Sequence, residues 1–352
     1  MKLLIYGEVD EVGSGVWCYS EACKELQLEV IPFHNDRSIK KYTNNIFWRI
    51  VRRLNNRKIL EKDRLLHSNA LIESVQKNLP NIIVIFKGIL LDRNEIKILK
   101  RYCPFVVIVN HDDFYSKSKN SVSEIQFLAI PEYDYVFTTK EINIQEIHIY
   151  NPRIAFFPFS YHPQIHYKYY LSANDKLKYS VDIVFIGTYE KERAKLLENI
   201  LLNTNYTVAI YGGSWHLLSR NSKLHKNIKS YNGLRFDEMC KAIQCAKISL
   251  GFLRKSNRDT FTQRSFEIPA CGGLLLAERT ELHMKLFQEG IEAEFFNPND
   301  PVELVNKIHI LMNDEKRRQS ISNAGYNKVT SSGFTYKNRI QQILDAYNSH
   351  KR

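Results

Sequence analysis

Two doubly wound α/β units in tandem are what this sequence predicts, on three observations. Short apolar runs alternate with longer helical patterns along most of the chain. The alternation breaks once, in a polar, Tyr-rich stretch, and then restarts. The 352 residues exceed one ordinary core and suit two domains of ~150–200 residues.

In the first half the apolar runs are Leu3–Tyr6, Glu29–Ile31, Ile82–Phe86, Phe105–Val109, Tyr135–Phe137 and Ile154–Phe157. Runs of Val, Ile and Phe without polar alternation suit strands buried on both faces of a parallel sheet. Residues 160–180, SYHPQIHYKYYLSANDKLKYS, have no period and read as a linker. Beyond them come Val181–Ile186, Thr207–Tyr211, Ile248–Phe252, Leu274–Ala277 and a shorter run at Glu294–Phe296. Helical patterns such as Lys191–Leu202 and Phe236–Ala246 fill the gaps. Asp300 reads as the N-cap of a helix with Pro301 in its first turn, and a last helix is expected over about 334–348. The expected division is a Rossmann-like unit over 1–165 and a second over 166–333, facing a cleft.

Composition narrows the class. Hydrophobic residues make up 44% and charged residues 25%, an ordinary globular balance. No apolar run reaches the ~20 residues of a membrane helix. The start, MKLLIYGEVDEVGSG, is too short in its apolar part for a signal peptide and reads as a buried strand. None of the six Cys forms a C-x-x-C pair or zinc spacing, so they read as reduced, buried small hydrophobes and the expected location is cytoplasmic. The net charge of +12 favours polyanionic or phosphate-rich partners. It concentrates in residues 37–64, ten of which are Lys or Arg.

In open α/β sheets ligands bind beyond the carboxyl ends of the strands, and four constellations stand there. Gly13-Ser14-Gly15 precedes a helix start, where backbone N–H groups approach a phosphate; without a third Gly it equally reads as a strand-to-helix turn. Asn110-His111-Asp112-Asp113 follows a strand. His111 or Asp112 suits proton transfer, or the acids cap the chain; adjacent acids are poorly spaced for a metal ion. Gly187-Thr188 ends the second unit's first strand, with Arg193 placed to reach a diphosphate or simply solvent.

The fourth is Asp259-TFTQRSFE-Ile268-PACGG273, which sets Asp259 and Glu267 eight residues apart. Thr260 or Thr262 suits the cap of a helix carrying Glu267. A mostly helical interval separates the acids by roughly 10–12 Å, comparable to the span from a sugar to a ribose across a diphosphate. The helix start, Arg264 and Arg254 are placed to meet the diphosphate, and a carboxylate suits vicinal ribose hydroxyls. The alternative is a capped helix with a Glu267–Arg264 ion pair.

These residues resemble a known family. TQRSFEIPACGGLLLAE, NHDD at 110–113, YDYVFTTK at 133–140, DIVFIGTYEKER at 182–193 and the ending NAGYNKV…GFTYKNRIQQIL are similar to the CgeB-like, spore-maturation-type glycosyltransferases. That family stands with the retaining GT-B enzymes marked by a Glu-x7-Glu pair. The resemblance implies a GT-B fold whose last segment, 334–352, packs back on the N-terminal domain. It implies that Glu267 binds ribose and that Asp259, an Asp where the wider group has Glu, contacts the transferred sugar. Thr188 stands where the wider group has an Arg for the diphosphate, and Arg193 stands in for its Lys.

The expected reaction is therefore sugar transfer from a nucleotide diphosphate sugar to an acceptor hydroxyl of a glycan, lipid-linked glycan or protein. It needs no cofactor and no obligatory metal ion, and retains anomeric configuration; an inverting course would use His111 or Asp112 as base. Residues 46–58, IFWRIVRRLNNRK, form a basic amphipathic pattern that either packs on the sheet or lies on an anionic membrane, placing the protein peripherally at its inner face. The rival activities are a nucleotide-sugar epimerase, a nucleic-acid-binding or DNA-base-glycosylating protein, and a catalytically dead homologue used for assembly. Nucleic acid is disfavoured, because aromatics do not interleave with the basic run.

Overall fold

The structure is a computed structural model, and it describes residues 1–34, 57–116 and 123–351. Contacts divide the chain into two compact units. The first comprises Met1–Pro158, Ser256–Arg258 and Tyr336–Arg352, and the second Phe159–Lys255 and Asp259–Thr335.

The first unit runs β1 (Lys2–Gly7), α1 (Gly15–Glu25), β2 (Glu29–His34), α2 (Arg57–Asn78), β3 (Ile82–Phe86), α3 (Arg93–Leu99), β4 (Val106–Asn110), α4 (Glu124–Ala129), β5 (Tyr135–Thr138), α5 (Glu141–His148) and β6 (Ile154–Phe156). The strands form one parallel sheet in the order β2-β1-β3-β4-β5-β6. Every residue of β3 and β4 is buried, as unalternating Ile and Val runs require when helices cover both faces. Each apolar side chain among them contributes about 1.5–3 kcal/mol.

The second unit runs α6 (Ala173–Tyr179), β7 (Val181–Ile186), α7 (Lys191–Asn203), β8 (Val208–Tyr211), β9 (Ile228–Ser230), α8 (Phe236–Cys245), β10 (Ala246–Gly251), α9 (Arg264–Ala270), β11 (Leu275–Glu278), α10 (Glu281–Leu286), β12 (Glu294–Phe296), α11 (Pro301–Asn313) and α12 (Glu315–Ser331). Its sheet, also parallel, has the order β12-β11-β10-β7-β8-β9. A last helix, α13 (Tyr336–His350), belongs to the first unit. There it packs on α1, with Tyr336 edge-on to Tyr19 at 4.7 Å, and Gln342 donates to the Phe156 carbonyl at 2.8 Å.

Three local readings change. The stretch 160–180 contains α6, which starts with a capping box: Ser172 Oγ accepts from Asp175 N–H, and the Asp175 carboxylate accepts from Ser172 N–H. The S-x-x-D spacing was the available signal, masked by the surrounding Tyr residues. The junction lies at 158/159 rather than 165/166, because Tyr161 N–H donates to the Phe334 carbonyl and pairs with Thr335 inside the second unit. Strand β9, with three residues and a polar centre, has no apolar run to announce it. The Asp300 cap is as expected, its side chain accepting from Val302 and Glu303 N–H. All six Cys are free thiols, five of them buried.

Candidate functional site

In each sheet the strand order reverses beside the first strand, and the crevice at that reversal is where α/β sheets bind ligands. In the second unit the chain steps from β7 outward to β8 and β9, then returns to the other side of β7 as β10. The switch point therefore lies between the exits of β7 and β10.

The residues at those exits are drawn together by Arg193. Its Nη1 donates to the Thr188 carbonyl at 3.0 Å and to Thr188 Oγ1 at 3.4 Å. Its Nη2 donates to the Phe252 carbonyl at 3.0 Å and its Nε to the Leu253 carbonyl at 3.2 Å. The expectation that Arg193 reaches a diphosphate meets a side chain that is only 5% exposed and turned to backbone carbonyls. The cause is its place on α7, where Arg193, Leu196, Leu197 and Ile200 share the buried stripe at helical spacing. Burial lowers its pKa, and the carboxylates of Glu190 and Asp259 oppose that shift. Beside it the β7 and β8 exits nearly touch. Trp215 Nε1 donates to the Gly187 carbonyl at 3.0 Å, and a Cβ on Gly212 would stand 1.9 Å from the same oxygen.

The segment 259–273 folds differently from its expectation. Only its second part is helical, since α9 starts at Arg264. Neither Thr260 nor Thr262 caps it: Gln263 is the N-cap residue, in helical conformation, without a side-chain cap bond. The Ser265 and Phe266 N–H groups turn back onto the carbonyls of Thr262 and Gln263. Those first-turn donors are therefore already engaged, and the 10–12 Å helical span between the acids does not apply.

Asp259 caps its own loop: its N–H donates to the Arg254 carbonyl at 3.1 Å, and Arg254 N–H donates to Asp259 Oδ2 at 3.2 Å. Arg254 Nε also lies 3.6 Å from Glu190. Two contacts hold the loop between the acids onto the start of α10. Thr280 Oγ1 donates to the Thr260 carbonyl at 2.6 Å. Ser265 Oγ, which accepts from Thr262 N–H, meets His283 Nε2 at 2.9 Å. His283 Nδ1 in turn meets the Glu278 carbonyl at 2.7 Å, and burial pushes its pKa down to about 4. It thus donates from Nδ1 and accepts at Nε2.

Glu267 is nearly buried and sits at the centre of a polar cluster. Gln263 Nε2 donates to Oε1 at 2.7 Å, and Arg264 Nη1 pairs with Oε2. Arg264 Nε also donates to the Ile186 carbonyl at 3.3 Å, which sets the start of α9 against the β7 exit. The third partner is His166, whose Nε2 lies 3.3 Å from Oε1. Sequence reasoning missed His166 and its neighbour His162 because both fall in the stretch read as a linker. The signal was two His four residues apart in a chain with eleven.

In the first unit, Ser14 N-caps α1: its Oγ accepts from Trp17 N–H at 3.0 Å and donates to the Glu8 carbonyl at 2.7 Å. Gly13, at φ +79°, makes the turn that leads into Ser14 and Gly15. His111 lies at the exit of β4, its Nε2 3.2 Å from the Tyr19 hydroxyl of α1. Burial pushes its pKa down to about 4, partly opposed by Asp112, so at neutral pH it is uncharged and able to accept a proton. Asp112 is paired with Lys87 at 2.8 Å. Asp113 is bound bidentately by Arg258, at 2.5 and 2.6 Å, and Arg258 also reaches Glu146. No group of three or more His, Cys, Asp or Glu is arranged for a metal ion among the described residues.

Residues 46–56 of the basic amphipathic pattern lie outside the described residues, as do the side chains of Arg57 and Lys58. Among the described residues no helix is long and apolar enough to cross a membrane. A cavity of about 310 Å³ lies at the opposite, N-terminal edge of the second sheet, lined by Gln244, Lys247, Gly273 and Arg318 among others. It contains none of the switch-point residues.

Two parallel six-stranded sheets, each covered by helices and each reversing beside its first strand, define the GT-B glycosyltransferase fold. Residues 192–345 match a family model described as glycosyl transferase-like. The fold is similar to HepE from Anabaena, solved with UDP and glucose, at 12% identity and a TM-score of 0.67, covering 99% of this chain and 100% of that one. It is similar to sucrose-phosphate synthase from Thermosynechococcus elongatus, at 12% identity and a TM-score of 0.70 over 99% and 98% of the two chains. A Rickettsia africae glycosyltransferase is alike at 12% identity and a TM-score of 0.66, over 100% and 98%. No curated protein matches the sequence.

Proposed function

We propose that the protein is a glycosyltransferase that takes a sugar from a nucleoside diphosphate sugar bound at the switch point of the second unit. The observation that carries this reading is Glu267. It is a nearly buried carboxylate on the helix whose first residue, Arg264, is tied to the β7 exit. A buried carboxylate ringed by neutral and cationic donors is suited to accept from ribose hydroxyls. The glycosyl transferase-like match over 192–345 spans this segment, and HepE, with the same fold, was solved with UDP-glucose.

In this reading Arg264 and Arg254 meet the diphosphate, and Asp259 contacts the sugar. The bond from the anomeric carbon to the diphosphate breaks, the bond to the acceptor oxygen forms, and the acceptor's proton leaves with the diphosphate. Configuration is retained, as in the CgeB-like enzymes that the sequence resembles. The leaving charge is met by arginine side chains rather than a metal ion, so activity should survive a chelator. The acceptor is a hydroxyl of a glycan, lipid-linked glycan or protein.

A thermal-shift panel of nucleoside diphosphates tests the site. One of them should raise the melting temperature by several degrees, and Glu267→Ala should abolish the rise. Absence of any shift at millimolar ligand sinks the reading. A second reading, nucleotide-sugar epimerisation, draws on the likeness to a Listeria monocytogenes protein described as a UDP-N-acetylglucosamine 2-epimerase, at 10% identity and a TM-score of 0.60. Conversion of the donor sugar without any acceptor would favour it.

A further inference from the structure

We propose that Glu278 is a positioning residue for the donor sugar: its side chain fixes the loop that carries Asp259, while its backbone carbonyl fixes the segment that carries Glu267. The inference rests on the donor-site reading above and deepens it. All the contacts that carry it lie within the second unit.

Glu278 is the last residue of β11 and is 4% exposed. The neighbouring strand β10 ends at Gly251, so the N–H groups of Leu253 and Arg254 lie beyond its ladder. Two carboxylates take them. Leu253 N–H donates to Glu278 Oε1 at 2.9 Å, and Arg254 N–H donates to Asp259 Oδ2 at 3.2 Å. Arg193 holds the Phe252 carbonyl, at the other end of the same peptide unit as the Leu253 N–H. With Glu278 in place that peptide is held at both ends. Without it the buried N–H has no acceptor, which is costly, and the peptide turns about its remaining anchor. Arg254 follows directly, and its carbonyl accepts from Asp259 N–H at 3.1 Å. Asp259 is thus tied by main chain and side chain to the residue next to Leu253, and a turn at Leu253 is passed on to it.

The second branch starts from the same residue. The Glu278 carbonyl accepts from His283 Nδ1 at 2.7 Å, His283 Nε2 accepts from Ser265 Oγ at 2.9 Å, and Ser265 Oγ accepts from Thr262 N–H at 3.1 Å. Ser265 lies in the first turn of α9, ahead of Glu267, and both His283 and Ser265 are buried. One residue therefore serves both acids, by its side chain for Asp259 and by its main chain for Glu267. A substitution at position 278 removes the first branch and leaves the second. The first branch needs an acceptor oxygen rather than a charge. Burial pushes the Glu278 pKa up and Asp259 adds to that shift, while Leu253 N–H, Lys255 and Arg193 oppose it. Gln supplies the same oxygen without the charge.

The test compares calorimetric affinities of UDP, GDP and ADP with those of their glucose and N-acetylglucosamine conjugates. The proteins are the wild type, Glu278→Leu, Glu278→Asp, Glu278→Gln, Asp259→Ala, Glu267→Ala and the double variant Glu278→Leu/Asp259→Ala. Glu278→Leu should weaken the best-bound sugar nucleotide about tenfold, the worth of a hydrogen bond to a charged group, and its free diphosphate less than about threefold. Glu278→Gln should keep both within about threefold of the wild type. Asp259→Ala should show the same selective loss, and adding Glu278→Leu to it should change nothing more, because Glu278 acts through Asp259. An equal loss for both ligands marks a merely structural role and overturns the proposal. So do a Glu278→Gln as weak as Glu278→Leu and losses that add in the double variant. Should Glu278→Leu fail to fold, Glu278→Asp, whose shorter arm withdraws the oxygen from Leu253 N–H, takes its place under the same criteria. If Glu267→Ala abolishes diphosphate binding while Glu278→Leu leaves the sugar nucleotide unchanged, the donor-site reading stands and this inference falls. If wild-type protein binds none of the three diphosphates, both fall.

Discussion

Arg193 and Phe252 are joined across the switch point of the second sheet, with Nη2 donating to the Phe252 carbonyl at 3.0 Å. The same guanidinium holds Thr188 at the exit of β7, so one buried side chain fixes the spacing of the two loops that flank the candidate donor site. Replacing it strands three carbonyls. Arg193→Met should destabilise the protein by about 2–4 kcal/mol in chemical denaturation, with Arg193→Lys intermediate because one ammonium cannot span all three. An unchanged midpoint would show that the loops do not depend on it.

Gly212 and Gly213 make a matched pair. A Cβ on Gly212, at φ +153°, would lie 1.9 Å from the Gly187 carbonyl oxygen, whereas one on Gly213 would lie 3.8 Å from Thr188. Gly212→Ala should therefore cost more than about 3 kcal/mol and Gly213→Ala less than about 0.5 kcal/mol. Equal melting temperatures for the two variants would contradict the close approach of the β7 and β8 exits.

Asp259 can be separated into its two roles. Asp259→Asn keeps an oxygen to accept from Arg254 N–H, so the loop should hold and the melting temperature should stay near that of the wild type. Under the proposed function the loss of charge at the sugar should lower turnover by about 10²–10³ while nucleoside diphosphate affinity changes less than about threefold. Steady-state kinetics beside calorimetry decide this. A large loss of affinity instead would move Asp259 from the sugar to the nucleotide.

The Asp113–Arg258–Glu146 cluster sets an acid limit. Arg258 holds the pKa of Asp113 and of Glu146 below their ordinary values, against the opposing effect of burial. A depressed carboxylate pKa contributes stability that is present above the unfolded-state value, about 4, and is lost as pH falls through the folded value. Stability should thus decline below about pH 4. Arg258→Met should remove about 2–4 kcal/mol at neutral pH and flatten that decline. Urea midpoints across pH 2.5–7 would show it, and an acid limb of undiminished slope in the variant would assign the decline to other carboxylates.

Much of this protein was legible in its sequence. Unalternating Ile and Val runs such as Ile82–Phe86 can be satisfied only by burial on both faces, and local chemistry such as Asp300 before Pro301 acts within one turn of helix. Such signals depend on near neighbours, so they survive in one dimension. The strand order and the partners of individual polar groups do not. In the sequence Arg193 reads as a contact of either a diphosphate or solvent, whereas its place on the buried face of its helix turns it to carbonyls 59 and 60 residues away. Asp113 meets Arg258 across 145 residues. Glu267 was visible as a carboxylate on a helix, but His166, a hundred residues earlier, reached it only because 159–165 joined the second unit. The sequence by itself determined two parallel-sheet units and the segment that carries the acids. The tertiary structure decided which groups those acids meet, because a buried polar atom takes the nearest partner in space, and folding chooses that partner.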